Sequence, residues 1–268
     1  MEQFLSYLQY LALTLWYTLG AILLCGLVAH LSRRAFVSLS GNGIFVYLTS
    51  LLGTPVHELG HATLCPLFGH KITEMKLLLP PHHPSGTLGY VEHSYNKRNP
   101  WARLGNLFIG IGPIFSCLGV VLLCLFLCFP DAWESYLIKT EALSASTALP
   151  TLLQAVFSLL TALPEAFAAE DWWIPTVGLV IILFVSQHAT LSTADVKGAL
   201  SALPIYLLLL LLVTLPTYLL GVDAAVSNAL FHFHLWTLSF FAISIAFSLV
   251  WVAIGFVFFV LRSIKNAF

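Results

Sequence analysis

The stretch GTPVHELGHATL carries His57, Glu58 and His61 at the spacing HExxH. On a helix, residues four apart lie almost one above the other, so both imidazoles reach one ion from the same face. Glu58 stands one position round from His57, near such an ion but free to act on its water as general base. For this composition chance supplies about 0.01 such matches. The bland alternative is a pair of buried histidines hydrogen-bonded to a neighbouring helix, and it leaves a carboxylate in an apolar helix without a reason.

A catalytic zinc ion takes three protein ligands and keeps one position open for water. The longer pattern HExxHxxGxxH fails, because Leu64 stands at the glycine position and Leu67 at the third histidine. Glu74 and Glu92 are acidic but belong to a charged loop outside the apolar block. The deep candidates are His188 and Asp195, in SQHATLSTADVKGAL. Asp195 supplies the hard anionic oxygen that commonly completes a two-histidine site. Its alternative is a helix cap ahead of VKGAL. His188 is either a hydrogen-bond partner of a ligand or a residue facing a neighbouring helix.

The elements that must hold these groups follow from composition. The 268 residues are 59% hydrophobic and 9% charged, with a net charge of −1 and a mean hydropathy of +0.92. An ordinary soluble domain carries roughly a quarter charged residues, so the expected class is an all-α polytopic membrane protein in a lipid bilayer. The charge balance offers no basic stripe for nucleic acid. Five cysteines scattered through apolar runs make no disulfide framework, and Cys117, Cys124 and Cys128 read as packing residues.

Six stretches reach the roughly 20 apolar residues a span needs: about 4–31, 44–69, 101–129, 172–191, 202–221 and 235–261. The first reads as a retained span and not as a cleaved leader. Trp101, Trp172, Trp173 and Trp236 fall at span starts, as an aromatic belt or as lipid-facing filler. With the amino terminus inside, Lys71, Lys76, Lys97, Arg98, Arg103, Lys197, Arg262 and Lys265 face the cytoplasm, against Arg33, Arg34 and Lys139 outside. That imbalance places both termini in the cytoplasm. Residues 130–171 form an external segment, in which 151–163 is apolar but too short to span and is expected to lie along the interface or dip into it. The chain reads as one domain, 1–268, with its core at 44–200.

Residues 71–79 and 86–95 read as two short strands around PPHHPSG, a β-hairpin with Thr87, Gly89, Val91, His93 and Tyr95 on one side. His82 and His83 read as turn residues. An open strand edge can hold an extended peptide by β-addition, and a plain connector is the equal alternative. Gly110 and Gly112 let helices approach closely, and Pro55 is expected to kink the second span.

These residues resemble the site-2-protease-type intramembrane zinc metallopeptidases. The resemblance rests on HELGH at 57–61, the element IGIGPIFS at 109–116 and the aspartate at 195, and covers roughly 44–200. It implies one zinc ion held by His57, His61 and Asp195, with Glu58 activating water, at a site within the membrane towards the cytoplasm. It also implies that the hairpin at 70–96 clamps an unwound substrate helix. Where the family reads Asn-Pro-Asp-Gly, this chain reads Ser192-Thr193-Ala194-Asp195-Val196-Lys197-Gly198, and where the family often has a substrate-positioning Asn it has Ser116. The pattern looks like a divergent, mainly bacterial branch, which implies a bacterial plasma membrane. Lys197 and Ser192 are candidate donors to an oxyanion.

The expected activity is hydrolysis of peptide bonds in membrane-protein substrates. The alternatives are a catalytically inactive relative that binds partner helices, and a metal or proton transporter. An intact 57–61 motif argues against the first. The lack of a polar stripe along several spans argues against the second.

Overall fold

The computed structural model describes residues 1–267 apart from 42, 82, 85 and 145–147. The first helix, α1 (Glu2–Leu15), continues through a π-helical turn at Trp16–Gly20 into α2 (Ala21–Ser40). After α3 (Gly43–Leu67) come β1 (Lys71–Lys76) and β2 (Tyr90–Ser94), then α4 (Pro100–Cys128). The second half holds α5 (Pro130–Thr140), α6 (Ala148–Ala162), α7 (Trp173–Ser186), α8 (Thr193–Leu219) and α9 (Asp223–Ala267).

Among the described residues, five helices are long and apolar enough to cross a membrane: Glu2–Ser40, Pro100–Cys128, Ala148–Ala168, Thr193–Leu219 and Asp223–Lys265. Leu208, Leu212, Val213 and Leu219 are each more than half exposed, apolar surface that suits lipid better than water. Two of the six expected spans are not among these five. Helix α3 has 25 residues, but its His, Glu and Thr side chains dilute its apolarity below that of the other five. Helix α7 has only 14 residues, about 21 Å of rise against a hydrocarbon core of about 30 Å. Conversely, the run expected to lie at the interface extends through a 3₁₀ turn to Ala168, giving 21 residues.

The two short-range pieces α7 and α8 were expected as antiparallel spans, yet they run the same way along α4. Gly178 lies against Cys128, Asp195 against Gly110, and Ser201 against Asn106. They are two parts of one return path, broken at 187–192. Helices α2 and α9 are parallel, joined by Ser32 Oγ–Ser248 Oγ at 2.7 Å and by the Phe36 and Trp251 rings. Tyr218 Oη donates to the Gln3 carbonyl at one end of the bundle, and Arg262 lies beside Gly41 at the other. The two ends of the chain therefore sit at opposite ends of the bundle. Arg33 and Arg34, expected in an outer loop, are residues of α2. Trp101, Trp172 and Trp173 do stand at helix starts, whereas Trp236 lies well inside α9.

Interhelical polar bonds contribute only about 0.6 kcal/mol each in a membrane setting, so close packing must hold the bundle. Helix α3 runs unbroken through Pro55 and meets α4 where both lack side chains: a Cβ on Gly112 would come 2.6 Å from the Gly60 carbonyl oxygen. The Ser116 hydroxyl adds a bond to the Val56 carbonyl, 2.9 Å away, tying α4 to the turn that precedes the HExxH motif. Cys117 is fully buried in the main core with Val121, Leu125 and Ile182, as expected of a packing residue.

The hairpin is antiparallel, pairing Lys71 with Ser94 through to Lys76 with Tyr90, with an irregularity between Ile72 and Glu74. It is shorter than the sequence suggests, although the Leu79 amide still donates to the Leu88 carbonyl beyond it. His83 donates its amide to the Pro80 carbonyl in the turn, while His82 lies outside the described residues.

Candidate metal centre

The HExxH residues sit on α3 and Asp195 on the first turn of α8, and the fold brings them together. One donor atom each from His57, His61 and Asp195 lies within 4.8 Å of the other two. His61 Nε2 is 3.1 Å from Asp195 Oδ1, and His57 Nε2 is 3.6 Å from Asp195 Oδ2. Asp195 is held there by a capping box: its Oδ2 accepts the Ser192 amide at 2.6 Å, and its own amide donates to Ser192 Oγ at 3.1 Å. The cap reading of Asp195 is thus met, and the same side chain stays beside His57 and His61.

Each histidine is aimed by its other nitrogen. His57 Nδ1 donates to the His188 carbonyl at 2.9 Å, and His61 Nδ1 to the Ile109 carbonyl at 2.7 Å. A carbonyl can only accept, so both Nδ1 atoms carry the proton and both Nε2 lone pairs are left for the centre. That is the donor set and tautomer a divalent metal ion requires. The residues present fit such an ion.

Glu58 is 7% exposed and has no hydrogen-bond partner among the described residues. It faces a cavity of about 800 Å³ whose walls include Thr54, His57, His61, Asp195, Asn106, Gly89 just ahead of β2, and the β2 residues Val91 and His93. Gly89 packs directly on it: a Cβ there would come 3.0 Å from Glu58 Cγ and 2.8 Å from Thr54 Cγ2. The hairpin thus lies over the carboxylate; Thr87, Gly89, Val91 and His93 of the side expected from strand alternation line the cavity, as do Leu88 and Tyr90 of the other side, while Tyr95 does not.

His188 contributes its main chain. Its buried ring makes only long contacts, 3.4 Å, to Thr49 and Thr54 hydroxyls. Glu74 and Glu92 face each other across the hairpin, where Glu74 accepts from Tyr90 Oη at 2.6 Å, apart from the metal-ligating group. Ser192 lines the cavity, while the exposed Lys197 and the half-buried Ser116 do not.

Two features escaped the sequence reading. His30, Arg33 and Arg34 of α2 line the same cavity. Their spacing, continued by Val37, is that of one helical face, and extending the first span past residue 31 would have revealed it. The second is a histidine pair. His70 Nε2 donates to the Ala102 carbonyl at 2.7 Å, so its Nδ1 accepts from His93 Nδ1 at 2.9 Å, and the Tyr95 ring stacks on His70. Burial, with His70 and His61 nearby, lowers the pKa of His93.

No family model, curated protein or solved structure matches this chain.

Proposed function

We propose that this protein is an intramembrane zinc metallopeptidase that hydrolyses peptide bonds of membrane-embedded substrates. The observation that carries the reading is the pair of carbonyl-anchored histidines converging with Asp195, beside a buried, unpartnered Glu58. One donor atom from each of the three residues lies within 4.8 Å of the other two, close enough for a single ion to be reached by all three. His57, His61 and Asp195 would hold the ion. When bound, it lowers the pKa of a coordinated water and polarises the carbonyl to be attacked.

The chain's own residues supply the proton path. Glu58 accepts a proton from the attacking water as the carbon–oxygen bond forms, then delivers it to the departing amine as the carbon–nitrogen bond breaks. With no hydrogen-bond partner among the described residues, both of its oxygens are free for this work. The hairpin packed over Glu58 through Gly89 would hold the substrate backbone extended, by adding it to a strand edge. Residues 71–103 carry Lys71, Lys76, Lys97, Arg98 and Arg103, and this cluster favours a cytoplasmic hairpin in a multi-pass plasma-membrane protein, which the resemblance sets in a bacterium.

The test pairs metal analysis with cleavage. Purified wild type is expected to hold one zinc ion and to cut a single-span membrane protein. Glu58→Gln should keep the zinc and lose cleavage by about 10²–10⁴-fold. Wild type that binds no zinc, or Glu58→Gln that cuts at the wild-type rate, overturns the proposal.

A further inference from the structure

One wall of the cavity is cationic. Helix α2 turns His30, Arg33 and Arg34 into the space that holds His57, Glu58, His61 and Asp195. Arg33 is half-buried, close enough to Cys117 of α4 and to His188 for its charge to act on both. Neither arginine has a hydrogen-bond partner or a carboxylate within 4.0 Å among the described residues. An unpaired guanidinium in an apolar helix is costly to maintain and marks a ligand or substrate path.

The charges lining the cavity point to the sign of that ligand. Glu58 and Asp195 balance the two guanidinium groups as the chain stands. A divalent cation bound at the histidines leaves the cavity with two positive charges in excess. Such a cavity favours an anionic ligand, and the anion a peptide can offer is a carboxylate. The guanidinium fork matches that group with two parallel hydrogen bonds, which a lysine cannot do.

We propose that Arg33 binds a carboxylate of the substrate, so that the cavity selects peptides carrying this group near the bond to be cut. The carboxylate comes from an Asp or Glu side chain or from a free carboxyl terminus. This inference rests on the peptidase reading and adds a specificity-determining residue to it. Arg34, exposed at the margin of the same wall, extends the positive surface over which the carboxylate approaches.

The experiment measures binding in the full-length Glu58→Gln protein, loaded with zinc and held in phosphatidylcholine nanodiscs, so that bound peptide is not consumed. Three fluorescent single-span peptides of one sequence are compared by anisotropy. The first has an amidated terminus and Gln at a scanned position; the second replaces that Gln by Glu; the third keeps Gln but has a free carboxyl terminus. A carboxylate-bearing peptide is expected to bind at least about tenfold more tightly than the neutral one, as a charged hydrogen-bonded pair predicts. Whichever of the two wins identifies the source of the carboxylate. In Arg33→Met the ratio should fall to within about twofold, and Arg33→Lys should keep part of it.

Equal affinity for all three peptides overturns the assignment to Arg33, and so does a preference that survives in Arg33→Met. The Glu-to-Gln change in the peptide reads the effect without altering the protein, so misfolding of Arg33→Met would not shield the proposal. If no peptide of any kind binds, the peptidase reading falls together with it. If wild type cuts neutral and acidic peptides with equal kcat/KM, only the role of Arg33 falls.

Discussion

The main-chain carbonyl of His188 lies 2.9 Å from Nδ1 of His57, so the break between α7 and α8 sets the tautomer of a residue on α3. Because the acceptor is backbone, the His188 side chain is dispensable for aiming. We expect His188→Leu to change zinc affinity by less than about tenfold, at the lower edge of what outer-shell changes cost, whereas His57→Ala abolishes tight binding. Competition with a graded series of chelators measures both.

Asp195 does two jobs that substitution can separate. Asparagine keeps an oxygen to accept the Ser192 amide but removes the anionic donor beside His57 and His61. Asp195→Asn and Asp195→Ala should both lose zinc. Only the alanine should also lose the cap, about 1 kcal/mol of stability. Zinc content with thermal unfolding of the metal-free proteins reads the two effects apart. Equal unfolding temperatures for both variants would remove the capping role.

Two glycines of α4 predict opposite signs. A Cβ on Gly112 meets the Gly60 carbonyl oxygen, a backbone atom that cannot turn aside, while Gly119 has open space around it. Gly112→Ala should destabilise by about 1–3 kcal/mol and weaken zinc binding, because it pushes α3 and its ligands away. Gly119→Ala should be neutral or gain up to about 1 kcal/mol, since alanine is the better helix former. Unfolding in detergent checks both.

The hairpin should loosen in acid. Burial lowers the pKa of His93 in the folded protein below its unfolded value, with His70 and His61 as its titratable neighbours. Between those two values the unfolded chain binds more protons, so stability rises with pH through that window. It is complete above about pH 6.5 and is lost as the pH falls below that value. Hydrogen exchange of the β1–β2 amides, corrected for intrinsic rates, should quicken from pH 7.5 to 5.5. In His93→Gln this pH dependence should flatten, and a wild-type slope that persists there would assign it to another group.

The cluster of His57, His61 and Asp195 was legible because each member is an anomaly in an apolar chain: HELGH keeps helical spacing, and Asp195 is a rare carboxylate at the edge of a span. The hairpin was legible from its strand-like residues around a turn-rich stretch, but alternation did not separate its faces, because Leu88 and Tyr90 line the cavity beside Gly89 and His93. Helix direction was not legible. Hydropathy reports where an apolar run lies and nothing about whether α7 turns back or continues into α8. Arg33 and Arg34 were lost for a related reason. Counting them as loop residues assumes that charges end a span, whereas α2 carries them on the face turned to its own cavity. The His70–His93 pair depends on the return of a strand to the end of α3, a tertiary contact with no local signature.

His61 and Asp195 are separated by roughly half the chain, and the helix carrying Asp195 begins only after the break that follows α7. As the chain emerges from the ribosome, the histidines are made early and wait without their third partner. Synthesis itself therefore acts as a timer: the three residues cannot be brought together until most of the bundle has been made.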